Sequence, residues 1–253
     1  MADPMKQFQI EKVVELPTVE IAGMAIDLSI TNSVLAMIIA AVAVVSFFGI
    51  TAMGAKTVPG RLQVVGEAMF GAIDDLSTSI IGHDGHKFFP FIFSLFLFIL
   101  GMNLLGMTTF FTATSQLAVT VTLGLMTLLV VIVVGFVRNG LGFFKLFAPS
   151  GVPAPVLLIV VPIEIISFIM RPATLALRLF GNMVGGHIVL KVFAGFVVSL
   201  GTLGVLGWAG AALALTSVVA LTALEFMVAT LQAFVFAVLA CVYLNDVVNL
   251  DSH

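Results

Sequence analysis

Arg171-Pro172-Ala173-Thr174-Leu175-Ala176-Leu177-Arg178-Leu179-Phe180-Gly181-Asn182-Met183 sets an arginine in the middle of a membrane-length apolar run. No other full charge stands within six residues of Arg178 on either side. A guanidinium does not lose its proton at physiological pH. At the centre of a bilayer helix it costs roughly 2.5–3.5 kcal/mol on insertion scales. A chain keeps such a group only where a partner, a water-filled cavity or a function compensates.

The surroundings are those of an integral membrane protein. The 253 residues are 61% hydrophobic and 9% charged, against about 25% charged in a soluble domain. The single cysteine, Cys241, excludes an internal disulfide and a thiolate cluster. Residues 1–30 are polar, with Asp3, Glu11, Glu15, Glu20 and Asp27. They lack the apolar core of a secretory signal and read as an extramembrane tail. The membrane domain follows over 31–253.

Within that domain, 34–52, 88–111 and 117–137 read as spans. Residues 62–81 differ: Leu62, Val65, Met69, Ile73, Leu76 and Ile80 form a stripe from which Gln63, Glu67, Asp74 and Asp75 are excluded. That pattern predicts an amphipathic helix on the membrane surface. The turn His83-Asp84-Gly85-His86-Lys87 offers metal-type ligands, but a solvated loop is the commoner meaning of such a cluster.

Residues 156–200 and 203–248 are too long for upright spans. About 45 helical residues reach about 68 Å, against a hydrocarbon core of ~30 Å. The sequence therefore predicts an all-α membrane protein with about five membrane-embedded helices and one surface helix. The last two helices would form a long, strongly tilted hairpin turning at 201–207. The Lys and Arg bias of the loops places the N-terminus outside and the C-terminus in the cytoplasm.

Glu164, Ser167, Arg171, Thr174, Arg178 and Asn182 recur at three- and four-residue steps. They make a polar seam about 27 Å long on one helix face. Thr222, Glu225, Ala229 and Gln232 step likewise on the next helix. Two such seams either face each other or face a third partner. Ser167 and Thr174 serve equally well as interhelical glue. Arg178 does not, because no acid lies three or four residues away; Glu225 and, less directly, Glu164 are the candidate counter-charges in the chain. His187 and Glu225 supply an imidazole and a carboxyl, the usual parts of an intramembrane proton relay. Lys191 reads as a snorkelling anchor or as lining an aqueous path. Nothing has the form of a nucleotide loop, a zinc helix or a nucleophile elbow, and no cofactor, metal or nucleic acid is expected.

The run Leu177-Arg178-Leu179-Phe180-Gly181-Asn182-Met183, with Thr230-Leu231-Gln232-Ala233-Phe234-Val235-Phe236 downstream, closely resembles subunit a of the rotary F-type ATP synthase. The resemblance covers most of the chain and implies a bacterial inner-membrane stator without catalytic chemistry of its own. It implies contact with a ring of c subunits, peripheral-stalk b subunits and lipid, and with the soluble ATPase head indirectly. By the same resemblance Arg178 meets the ring's carboxylate. Asn182, His187, Glu225 and Gln232 line the outer half-channel, and Glu164 and Thr174 lie toward the cytoplasmic one. Two positions depart from the family pattern. His187 and Glu225 look exchanged relative to many bacterial relatives, and Gly106 stands where some carry an acid one turn after the equivalent of Asn103. A self-contained secondary transporter, using a midplane arginine for an anionic substrate, is the competing reading; it would ordinarily show internal repeats, and none is visible.

Overall fold

The computed structural model describes residues 8–15, 19–21, 24–26, 29–54, 56–108, 111–148 and 153–250. The loop marked by Pro149-Ser150-Gly151-Val152 lies outside them. The chain is helical from α1 (Asn32–Met53) onward, through α2 (Arg61–Ile81), α3 (Gly85–Gly106), α4 (Leu117–Asn139), α5 (Ala154–Gly201) and α6 (Val205–Val248). Five stretches are long and apolar enough to cross a bilayer: Asn32–Met53, Arg61–Gly106, Leu117–Phe147, Pro155–Gly201 and Gly207–Val248. The all-helical membrane architecture read from the sequence is therefore present. The polar tail adds short strands that were not foreseen. β1 (Lys12–Val14) pairs antiparallel with β4 (Ile30–Thr31), and β2 (Val19–Ile21) with β3 (Met24–Ile26).

Two compact units divide the chain. The first comprises Met1–Ala43, Leu100–Gln116 and Leu179–Leu231. Its N-terminal segment is tied down by backbone: Asn32 donates its N–H to the Glu11 carbonyl at 3.0 Å and its side-chain amide to the Gln9 carbonyl at 3.0 Å. Gln116 Nε2 donates to the Phe8 carbonyl at 2.8 Å.

Between α5 and α6 the chain reverses in three residues. Gly204 takes φ +78°, a left-handed conformation that a side chain resists. Gly207 packs so closely on the Leu200 carbonyl that an added Cβ would overlap it, and Leu203 donates its N–H to that same carbonyl at 3.0 Å. Because the obstacle is backbone, a neighbouring rotamer change cannot relieve it. Gly207→Ala is expected to destabilise the turn by about 1–3 kcal/mol. A lower thermal midpoint of the detergent-solubilised protein would register this, and an unchanged midpoint would count against the turn geometry.

The second unit comprises Val44–Ile99, Leu117–Arg178 and Gln232–His253. Along α6 the residues Ala233, Phe236, Ala237, Ala240, Leu244 and Val247 are buried at three- and four-residue spacing. In lipid there is little hydrophobic drive between helices, so close packing on small residues and polar links must hold them. The links are present. Asn139 Nδ2 donates to the Val247 carbonyl at 2.6 Å, and Asn249 Nδ2 to the Ile81 carbonyl at 3.1 Å. Asp84 accepts from Arg138 at 2.6 Å and from Lys87 at 2.7 Å. His86 turns instead to Asp74 at 3.1 Å. The polar turn thus spends its charges on structure, and among the described residues no three His, Cys, Asp or Glu side chains gather to hold a metal.

α5 runs unbroken through Pro162 and Pro172. Each proline lacks an N–H, so the carbonyls of Leu158 and Phe168 lose their usual helical donor. With 48 residues α5 is about 72 Å long, and with 44 residues α6 about 66 Å. Both are more than twice a hydrocarbon core of ~30 Å.

Candidate functional site

The two polar seams have different fates. On α6, Glu225 is 6% exposed and Gln232 3%, with Ala229 buried between them; only Thr222 faces outward. On α5, Thr174, Arg178 and Asn182 are all exposed, and Gly181 and Gly185 beside them have open space where a Cβ would stand. Arg178 has no carboxylate within 4.0 Å in its own unit among the described residues. Of the alternatives the sequence left open, the middle of the α5 seam is turned outward.

In the second unit the α5 seam ends in an ion cluster. Arg171 lies between Glu164, 3.6 Å away, and Asp246 of α6, 3.5 Å away, with its guanidinium 5.8 Å from the Tyr243 ring centroid. All three charged side chains keep between a quarter and two-fifths of their surface exposed. Such long, wet contacts hold the groups together without locking them. The sequence reading missed Asp246 and Tyr243. Asp246 falls fourteen residues after Gln232, close to four full turns, so extending the α6 stripe would have found it.

In the first unit, His187 of α5 and Glu225 of α6 come together as the residue types suggested. His187 Nε2 stands 3.7 Å from Glu225 Oε1, with the two side chains 13% and 6% exposed. Oε1 has no hydrogen-bond partner among the described residues. Gly186 makes the space: a Cβ there would lie 2.6 Å from Oε1 and 3.0 Å from the carboxyl carbon. Asn103 of α3 donates to the carbonyl of Ala229, one turn along α6, at 3.0 Å. Thr112, in the turn after α3, brings its hydroxyl to 3.1 Å from His187 Nε2, and the Phe8 ring lies edge-on to the imidazole at 6.4 Å. Sequence periodicity gave no signal for Thr112, which lies in no helix and 75 residues from its partner.

The crowding at Gly186 sets a test. Gly186→Ala is expected to displace the Glu225 carboxyl and to destabilise the packing there by about 1–3 kcal/mol, as overpacking does. The thermal midpoint of the detergent-solubilised protein would be compared with that of the unaltered chain; an equal midpoint would contradict the packing described.

A cavity of about 240 Å³ between α4 and α5 is lined by Leu117, Val121, Ile169, Pro172, Ala176 and Leu177. These apolar side chains offer nothing to an anionic substrate.

Long apolar helices with titratable side chains packed inside them define a polytopic membrane protein built around ionisable groups, not a lipid anchor. Residues 34–245 match the family described as ATP synthase A chain. Curated relatives named ATP synthase subunit a are 52% identical over 252 residues in Hyphomonas neptunium, covering 99% of this chain and 98% of the relative. In Allorhizobium ampelinum identity is 51% over 252 residues, covering 99% of each. In Mesorhizobium japonicum it is 50% over 248 residues, covering 98% and 96%. The chain belongs to the ATP synthase A chain family. It is a multi-pass protein of the bacterial inner membrane, part of the ATP synthase complex, and carries out no catalytic chemistry itself.

Proposed function

We propose that this subunit conducts protons through two offset half-channels against a ring of c subunits, and so couples transmembrane proton flow to rotation of that ring. The observation that carries the reading is Arg178, a permanent charge on an exposed face of a membrane helix with no carboxylate beside it in its own unit. An uncompensated charge at that depth calls for a partner from outside the chain. A ring carboxylate is the fitting partner. Thr174, Gly181, Asn182 and Gly185 form the rest of the face, and the bare glycines admit a close helix.

In this account His187, Glu225, Asn182 and Gln232 serve the outer half-channel. A buried carboxyl with an unmatched oxygen, set against an imidazole, is a group that gains by exchanging a proton. Glu164 and Thr174 serve the cytoplasmic half-channel, to which we add Asp246. Arg178 favours the ionised form of the ring carboxyl and promotes proton release there. Its fixed charge also repels a proton that would leak directly between the half-channels. The domain limits 1–30 and 31–253 and the periplasmic N-terminus belong to the same proposal, as do peripheral-stalk b subunits as further partners.

The length of α5 and α6 adds a geometric expectation. Both helices should tilt well beyond the ~20° average of membrane helices, because their apolar surface exceeds one bilayer crossing. Spin-label depth measurements along 156–200 would show slow immersion over many residues. A short immersed stretch between long aqueous extensions would refute the tilt.

A further inference from the structure

The carbonyls that end a helix have no partner inside it, and three of the last four of α3 find theirs in the following turn. Asn103 O accepts from Met107 N–H at 3.2 Å, and Leu105 O from Thr108 N–H at 3.1 Å. Gly106 O accepts from the Thr112 hydroxyl at 3.0 Å. Gly106 and Thr112 are buried, so water does not readily replace that bond. A Cβ at residue 106 would meet Thr112 Cγ2 at 2.6 Å and Oγ1 at 3.0 Å, so glycine is what lets Thr112 sit there.

A hydroxyl has one proton to give. With that proton on the Gly106 carbonyl, Thr112 Oγ1 can only accept from His187 Nε2, 3.1 Å away. Nε2 must then carry the hydrogen, and the neutral ring is bare at Nδ1. The same Nε2 edge faces Glu225 Oε1 at 3.7 Å. Lys191, one turn on in α5, acts on the ring through its charge, and the uncharged Phe8 ring stands edge-on to it.

We propose that Thr112 is a positioning residue for His187, its hydroxyl oxygen accepting from the imidazole and so holding it as the Nε2–H tautomer, with Nε2 kept 3.7 Å from Glu225 Oε1. The proposal rests on the proton-path reading of His187 and Glu225 given above. A proton arriving at Nδ1 makes the ring doubly protonated. The Nε2 proton then passes to the Glu225 carboxylate, which becomes the neutral acid, and the ring keeps its proton on Nδ1. That product sets a bare Nε2 against the Thr112 oxygen, whose proton is held by the Gly106 carbonyl, so the hydrogen bond from His187 is lost until a proton is again on Nε2.

The test uses the assembled ATP synthase in membranes, with Thr112→Val and Thr112→Ser beside the unaltered complex. Histidine ¹⁵N spectra give the tautomer, and subtracting the spectrum of His187→Gln isolates the His187 ring. The unaltered complex should show Nε2 protonated. Thr112→Val should bring up an Nδ1–H population and slow proton-driven ATP synthesis about three- to tenfold, the range one neutral hydrogen bond commands. Thr112→Ser should return both readouts to the unaltered values within about twofold, since it keeps the same donor and acceptor. An Nδ1–H ring at His187 in the unaltered complex overturns the proposal whatever the Thr112 variants show. So does a Thr112→Val complex with unchanged spectrum and rate, or a Thr112→Ser complex as impaired as Thr112→Val. A full rate in His187→Gln itself would instead remove the proton-path reading on which the proposal stands.

Discussion

Arg178→Gln is expected to abolish both proton-driven ATP synthesis and ATP-driven proton pumping, while ATP hydrolysis by the soluble head continues. Glutamine keeps hydrogen-bonding capacity on a shorter side chain and removes the charge. The loss should be at least about a hundredfold, as when a single preorganised donor or charge is taken from a water-poor site. Arg178→Lys should also fail largely. A lysine ammonium sheds its proton when desolvated and lacks the planar fork that grips a carboxylate on two points. Inverted vesicles with a pH-sensitive dye give the pumping rate directly. Robust pumping by either variant would sink the stator role assigned to this residue.

The second large effect concerns the buried pair. Glu225→Gln leaves a group of the same shape that cannot carry a proton. Proton entry should slow about a hundredfold, the lower end of what a positioned acid–base group contributes. Assembly should be spared, because Oε1 of Glu225 takes part in no hydrogen bond among the described residues and its removal orphans nothing. The exchanged double change His187→Glu with Glu225→His restores one acid and one imidazole at the same place, 3.7 Å apart in the present arrangement. It should recover a good part of the rate. Gly186 limits the recovery, since the space beside it is shaped to a carboxyl and an imidazole is bulkier. ATP synthesis would be compared in both single changes and the double. If the double is no faster than the worse single, the two side chains are not one functional unit.

Much of this was legible in the chain because membrane helices announce themselves by composition. α1, α4 and the two long helices follow from apolar runs and from the scarcity of charge. The inward and outward turns of the seams were not legible. Glu225 and Arg178 have similar polar spacing on their helices, yet one is 6% exposed and the other lies open. Which face is covered depends on distant segments. Around Glu225 those are the end of α3 and its turn, through Asn103 and Thr112. The pairing of His187 with Glu225 was suggested by residue type, because an imidazole and an acid at bilayer depth need compensation. Thr112 gave no warning, since a threonine in a turn is ordinary and only the fold brings it to Nε2. The strands of the tail were missed for a related reason. Runs as short as Lys12–Val14 or Ile30–Thr31 are too brief to show alternation.

The claim on which the rest depends is that the Arg178 face of α5 meets a ring subunit. Cys241 is buried and free, so introduced cysteines report without interference from it. Asn182→Cys lies on that face and is exposed, whereas Leu129→Cys is exposed, at 61%, on α4. Each would be paired with a cysteine placed one helical turn from the ring subunit's carboxylate, and disulfide formation followed in native membranes. The account requires a bond from Asn182→Cys and none from Leu129→Cys. A bond from Leu129→Cys alone, or from neither position, would contradict it.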